Sequence, residues 1–211
     1  MARSRALRAD HLRTALAQEA ARIMAEQGIS DYGFAKRKAA DRLGVGEFAP
    51  LPKNTEIEAA LAEYQRLFEG QLHHDTIQQQ REVACDVMDK FHAFEPRLTG
   101  AVLSGSATAY QDIELHVFSD SVEALSIELL ERKIPFKFTE HRVRYSADRI
   151  EQIPGISFEW HGCGVSMRVF PKDGIRQAPL SVLDGRPIRR ATHSDVLALM
   201  AMAETPRTLV E

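Results

Sequence analysis

Cysteine is scarce: Cys85 and Cys163 are the only two in 211 residues. They are isolated in the chain, which argues against a disulfide framework or a cysteine-built zinc site and makes a reducing cytoplasm the expected setting. Long apolar runs are missing as well. No stretch reaches the ~20 residues that a membrane-crossing helix needs, and the N-terminal stretch has no signal-type apolar core. No membrane association is expected. Neither sign of charge dominates, since 27 Lys and Arg stand against 30 Asp and Glu for a net charge of −3. There is therefore no overall basic balance to pull the chain onto nucleic acid. Internal repeats are absent. So is a P-loop, because no glycine-spaced Lys-Ser/Thr follows any Gly-rich turn, and no nucleophile-elbow pattern surrounds a serine.

What is present is ordinary in bulk and uneven in detail. Hydrophobic residues make up 44% and charged residues 27%, as in globular proteins, and the length suits one large domain or two small ones. Residues 1–42 carry nine Lys/Arg against five Asp/Glu, whereas residues 43–100 carry five against ten. A helical stripe of Leu12, Ala15, Leu16, Ala20, Ile23 and Met24 predicts a helix over residues 10–27, stopped by Gly28. A second helix follows Asp31, carries Lys36, Arg37 and Lys38, and stops at Gly44. Two helices with a short turn, the second one basic, are a pattern that nucleic-acid readers use; the commoner reading is that Ala35, Ala39 and Leu43 make a packing stripe and the basic residues between them a solvated helix face. Gly46, Pro50 and Pro52 mark a linker, and Thr55 with Glu58 is a capping-box signature opening a long helical region. That region is expected to break or bend near Gly70 and the His73, His74 pair, and Pro96 ends it.

The chemistry-bearing stretch comes next. Ala101 to Leu103 reads as a short strand entering the turn Ser104, Gly105, Ser106. A second strand, 112–118, then alternates Ile113, Leu115 and Val117 on one face with Asp112, Glu114 and His116 on the other. Glycine lets a backbone approach phosphates, successive turn amides can line an anion site, and two carboxylates on one face can hold Mg²⁺ against phosphate oxygens. In order and type, Gly105, Ser106, Asp112 and Glu114 resemble the nucleotidyltransferase superfamily, the polymerase-beta-like fold. There a strand ends in Gly-Ser, a short helix follows, and the next strand carries two acids separated by one apolar residue. Only Ala107 to Gln111 separate Ser106 from Asp112 here, about half the family's spacer.

Beyond it, a helix is expected from Asp120 to about Arg132, then a strand from Phe136 to Tyr145 with a bulge or twist. A hairpin follows, from Ile156 to His161 and from Gly164 to Phe170, turning on Gly162 and Cys163 in a II′ geometry. Pairing His161 with Gly164 sets Glu159 opposite Ser166 and Ser157 opposite Arg168. The resemblance implies a third acid on a strand beside the first two. Ser166 stands at that position, and Glu159 is the candidate substitute. Arg186, Arg189 and Arg190 form a basic group in the tail, and Ser194 is the expected cap of a last helix.

The expected fold is α+β: a helical region over 1–95, then a small mixed sheet with flanking helices over 96–211, nucleotidyltransferase-like by resemblance. That resemblance implies transfer of a nucleoside monophosphate from an NTP to an acceptor hydroxyl. Asp112 and Glu114 would hold Mg²⁺ or Mn²⁺, and Glu159 would be a third ligand or would activate the acceptor. Ser104, Gly105 and Ser106 would hold phosphates, and Arg168 or Arg189 would contact phosphate or acceptor. The alternative is a nucleotidyltransferase-like regulatory or nucleic-acid-binding protein without turnover, using the basic helices of residues 1–42.

Overall fold

The computed structural model describes residues 2–29, 31–45, 50–65, 67 and 70–204. Among them the chain is α+β, with seven α-helices and one five-stranded mixed sheet. It divides into two compact units, one of residues 1–75 with 108–111 and 182–184, the other of residues 76–107, 112–181 and 185–211.

The first unit is built on α1 (Ala2–Gln27), α2 (Tyr32–Leu43) and α3 (Asn54–Tyr64). Leu16, Ala20, Ile23, Met24, Ala35, Ala39, Ile57 and Leu61 make its core, so the predicted stripes are packing surfaces except at Leu43, which is exposed. α1 begins near the N-terminus, so Arg3, Arg5 and Arg8 fall within its helical backbone and do not precede it. Gly28 and Gly44 take the left-handed conformation just past the ends of α1 and α2. α3 starts earlier than expected: Glu56, not Glu58, turns its carboxylate back to the Lys53 amide, at 2.7 Å. A carboxylate at the third helical position satisfies an orphan amide there, which Glu58 sits too far along to reach. The helical region does divide, with α4 (Gly70–Lys90) following α3, and His73 and His74 lie inside α4.

From Thr76 onward α4 belongs to the sheet unit. The strands are β1 (Arg97–Thr99), β2 (Ile113–Phe118), β3 (Phe136–Arg144), β4 (Ile150–Trp160) and β5 (Cys163–Phe170), in the order β1-β2-β5-β4-β3. Only β2 and β5 run parallel. Ile113, Leu115 and Val117 face a core completed by Val165, Met167 and Ile156, and by Ala84, Val87, Met88 and Phe91 from α4. α6 (Val122–Glu131) adds Leu125 and Leu129 to the same core. The alternation read from the sequence is therefore the observed one.

Four local expectations are corrected. Ala101 to Leu103 are not strand but part of a five-residue helix, α5 (Gly100–Ser104); the strand lies just before it, as β1. The β4–β5 turn is His161 and Gly162, both with positive φ (49° and 78°), the type I′ signature in place of II′. The register is consequently two residues from the expected one: Trp160 pairs with Cys163, Glu159 with Gly164, Ser157 with Ser166 and Gly155 with Arg168. A slip of two keeps every side chain on its face, so the polar set stays together. β3 pairs with β4 without interruption from Phe136 to Arg144, so it carries no bulge. The last helix, α7 (His193–Glu204), is capped by Thr192 rather than Ser194: the Thr192 hydroxyl accepts from the Asp195 amide and the Asp195 carboxylate accepts from the Thr192 amide.

Candidate functional site

The sheet face opposite the helical core is assembled in rows. One row runs Thr99, Glu114, Ser166, Ser157, Lys137 across all the strands; the next runs Arg97, His116, Arg168, Gly155, Thr139. Asp112 immediately precedes β2. Its carboxylate lies over Gly164, where a Cβ would meet the Asp112 Oδ1 atom. Glu159 is Gly164's partner on the far side, exposed to solvent. Asp112 is exposed too, and Glu114 is half-buried.

Glu114 is already engaged. Arg168 Nη2 donates to its carboxylate at 2.9 Å. A Cβ on Gly100 would lie 3.1 Å from the Glu114 carboxyl carbon, so the start of α5 is packed against this acid. Five residues at ~1.5 Å rise put the Ser104, Gly105, Ser106 turn roughly 7 Å further along, at the other end of the same helix. Gly105 has φ 85°, which suits glycine and closes α5.

The turn does not offer its amides as expected. Gly105 and Ser106 N–H both donate to the Ala101 carbonyl, at 2.8 and 3.0 Å, and so serve the helix end. The turn also carries a hydroxyl pair, Ser104 Oγ and Ser106 Oγ, 2.9 Å apart; Ser104 is exposed and donates as well to the Ala101 carbonyl at 3.2 Å, and Ser106 is buried. Behind it lies Arg81 of α4, which sequence reasoning passed over. Its guanidinium donates to the Val102 and Leu103 carbonyls, at 3.2 and 3.3 Å, and approaches Gly105. Burial pushes the Arg81 pKa down.

The sequence places His116 on the polar face and Arg190 in the basic tail group, but nothing in it joins the two. His116 is fully buried, and Arg190 Nε donates to its Nδ1 at 2.9 Å. Arg190, not the exposed Arg189, is the tail arginine that reaches the face. It is held there because Leu98 and Ala191 exchange both backbone hydrogen bonds, which pins the returning chain to the edge of β1. The two residues are too far apart in sequence for any local pattern to link them.

The His116 pKa lies well below the usual histidine range, pushed there by burial first, then by the charges of Arg190, Arg168 and His141. His141 shifts the same way, through burial and then Arg168. A histidine neutral when folded but protonatable when unfolded adds stability that is complete above the unfolded pKa. The unfolded chain binds the extra proton as pH falls below about 6.5, costing up to about 1.4 kcal/mol per pH unit for this group. Urea unfolding at about pH 7.5 and about pH 5.5 is expected to show that loss, and His116→Asn to flatten it. Equal pH dependence in both proteins would contradict the assignment.

Among the described residues, no group of three or more His, Cys, Asp or Glu side chains comes together as a metal cage. Asp112, Glu114 and Glu159 share a face without forming such a set. Three basic residues of α2 are engaged locally, with Lys36 donating to Asn54 at 2.7 Å, Lys38 to Gln27 and Arg42 to Glu19, while Arg37 is exposed. No described helix is long and apolar enough to cross a membrane. No family model, curated protein or solved structure matches the chain.

Proposed function

We propose that the sheet unit binds a nucleoside triphosphate with Mg²⁺ or Mn²⁺ and transfers its nucleoside monophosphate to an acceptor hydroxyl. One observation supports this most: Asp112 and Glu114 share one polar sheet face, beside a parallel strand whose facing positions are Gly164 and Ser166. Gly164 leaves the space that the Asp112 carboxylate occupies, which a larger residue would take from it. Two carboxylates suffice for Mg²⁺, which keeps several waters and takes its other ligands from phosphate oxygens. The ion, when bound, would neutralise charge on the attacking and leaving oxygens. Asp112 and Glu114 would hold it, and the Ser104 and Ser106 hydroxyls would orient phosphate. The acceptor oxygen bonds to the α-phosphorus as the bond to the β-phosphate oxygen breaks, and pyrophosphate leaves. Glu159, beyond Gly164, would take the acceptor's proton.

A second reading is favoured by specific observations. Ser166 and Gly164 place no third acid beside the pair, and Arg168 already neutralises Glu114. These features suit nucleotide binding without turnover. A nucleic-acid role for the basic helices has less support, given the local engagement of Lys36, Lys38 and Arg42.

Titration of each NTP, with and without Mg²⁺, into wild type and Asp112→Ala/Glu114→Ala tests the proposal. Metal-dependent binding that the double variant weakens by about 100-fold or more is expected, the scale of losing two charged ligands. Metal-independent binding, or none, rejects it. Labelled nucleotide transferred by a protein that binds it separates catalysis from binding alone.

A further inference from the structure

We infer that Arg168, Arg190 and His116 form a binding site for a phosphoryl group, on the same sheet face as the carboxylates but not dependent on a metal. Arg168 Nε, Arg190 Nη2 and His116 Nε2 are buried and have no hydrogen-bond partner among the described residues. Because His116 Nδ1 accepts from Arg190, the ring proton sits on Nε2. All three orphaned atoms are therefore N–H donors. A buried donor left unpaired is costly, and arginine cannot shed its proton to escape the cost.

Charge points the same way. Burial first, and the charge of Arg97 after it, push the Arg190 pKa down, and His116 is pushed down by burial and then by Arg190 and Arg168. Against these cations the ion pairs are Glu114 with Arg168 and Glu95 with Arg97, at 2.9 and 3.6 Å. A water molecule brings two lone pairs and no charge. A phosphoryl group brings three charged oxygens and accepts from every side, and arginine's planar fork fits it.

The site is held rigidly. The Arg190 guanidinium lies 5.0 Å from both the Phe118 and Phe170 ring centres, and its Nη1 donates to the Gly174 carbonyl at 2.8 Å. Arg168 is His116's neighbour on the parallel strand, so the three side chains belong to one stretch of the face. The absence of a side chain at Gly155 lets Thr139 and His141 lean over the sheet beside Arg168; they hydrogen-bond each other at 3.0 Å. Glu114 links this site to the carboxylates. When its charge is taken by another partner, Arg168 becomes available to an oxyanion. The ligand class is a phosphomonoester or diphosphate, and on the nucleotidyl-transfer reading it is the anionic handle of the acceptor.

The test uses inorganic phosphate and pyrophosphate as probes, by calorimetry and by NMR of the arginine Nε–H resonances. EDTA is present and chloride keeps the ionic strength constant. Acetate, as a planar carboxylate, is the comparison. Saturable phosphate binding that shifts the Arg168 and Arg190 resonances is expected. Arg168→Gln and His116→Asn should each weaken it about tenfold or more, the loss of one charge-assisted bond. Arg168→Lys should weaken it less, and Asp112→Ala should leave it within about twofold. Since no metal is involved, the result stands or falls separately from metal-dependent NTP binding. Tighter binding of acetate than phosphate would overturn the phosphoryl assignment. So would no saturable binding by wild type, or binding without movement of the two arginine resonances, which also covers any variant that fails to fold.

Discussion

Gly155→Ala is expected to destabilise the sheet unit by about 3 kcal/mol, the upper range for overpacking a tightly filled site. An added Cβ would lie 2.7 Å from the Met167 carbonyl oxygen, 2.7 Å from Thr139 Oγ1 and 2.9 Å from His141 Cδ2. The threonine and histidine can rotate aside. The Met167 carbonyl cannot, because it belongs to β5, whose pairing with β4 runs through Gly155 itself. Gly162→Ala is the control: nothing lies within 4 Å of its added Cβ, and its φ of 78° predicts a smaller cost, about 1 kcal/mol. Urea midpoints of the two variants check the contrast. A Gly155→Ala loss no larger than that of Gly162→Ala would mean that β4 does not approach β5 as closely as described.

Gly155 also explains what the sequence hid. The first half of β4 was unread because Pro154 and Gly155 look like a break, and proline is a poor central-strand residue. The β4–β5 ladder starts at Gly155, so Pro154 sits where β4 pairs with β3 alone. What was legible follows from periodicity. Ile113, Leu115 and Val117 are fully buried, and the polar set of β2 lies on the opposite face. Ala101 to Leu103 misled because a short apolar run fits strand or buried helix equally. The hairpin misled because His161 adopts a left-handed φ of 49°, a conformation that residue type alone does not announce. Asp112 and Glu114 fall where the alternation put them. Their surroundings were beyond local reading: Arg168, His116 and Arg190 are brought together by a parallel pairing and by the Leu98–Ala191 bridge, each joining distant stretches of chain.

The second large effect concerns the carboxylates. Asp112→Asn/Glu114→Gln is expected to weaken divalent-cation binding in the presence of NTP by about 100-fold or more, because a neutral amide replaces each charged ligand at nearly constant shape. The fold should survive. Asp112 is exposed, and Glu114 makes a partly exposed ion pair with Arg168, of a kind worth about 1 kcal/mol or less. Glu114→Gln alone carries a further expectation. It loosens Arg168 as well as removing a ligand, so phosphate should bind this variant at least as well as wild type.

Electron spin resonance of Mn²⁺ reads the carboxylate pair most directly, since bound manganese loses the sharp signal of the free ion. With wild type and NTP together, the free signal is expected to fall saturably. It should not fall with protein alone to the same extent, nor beyond the NTP-only level with Asp112→Asn/Glu114→Gln. An identical fall in wild type and the double variant would contradict a cation held by Asp112 and Glu114.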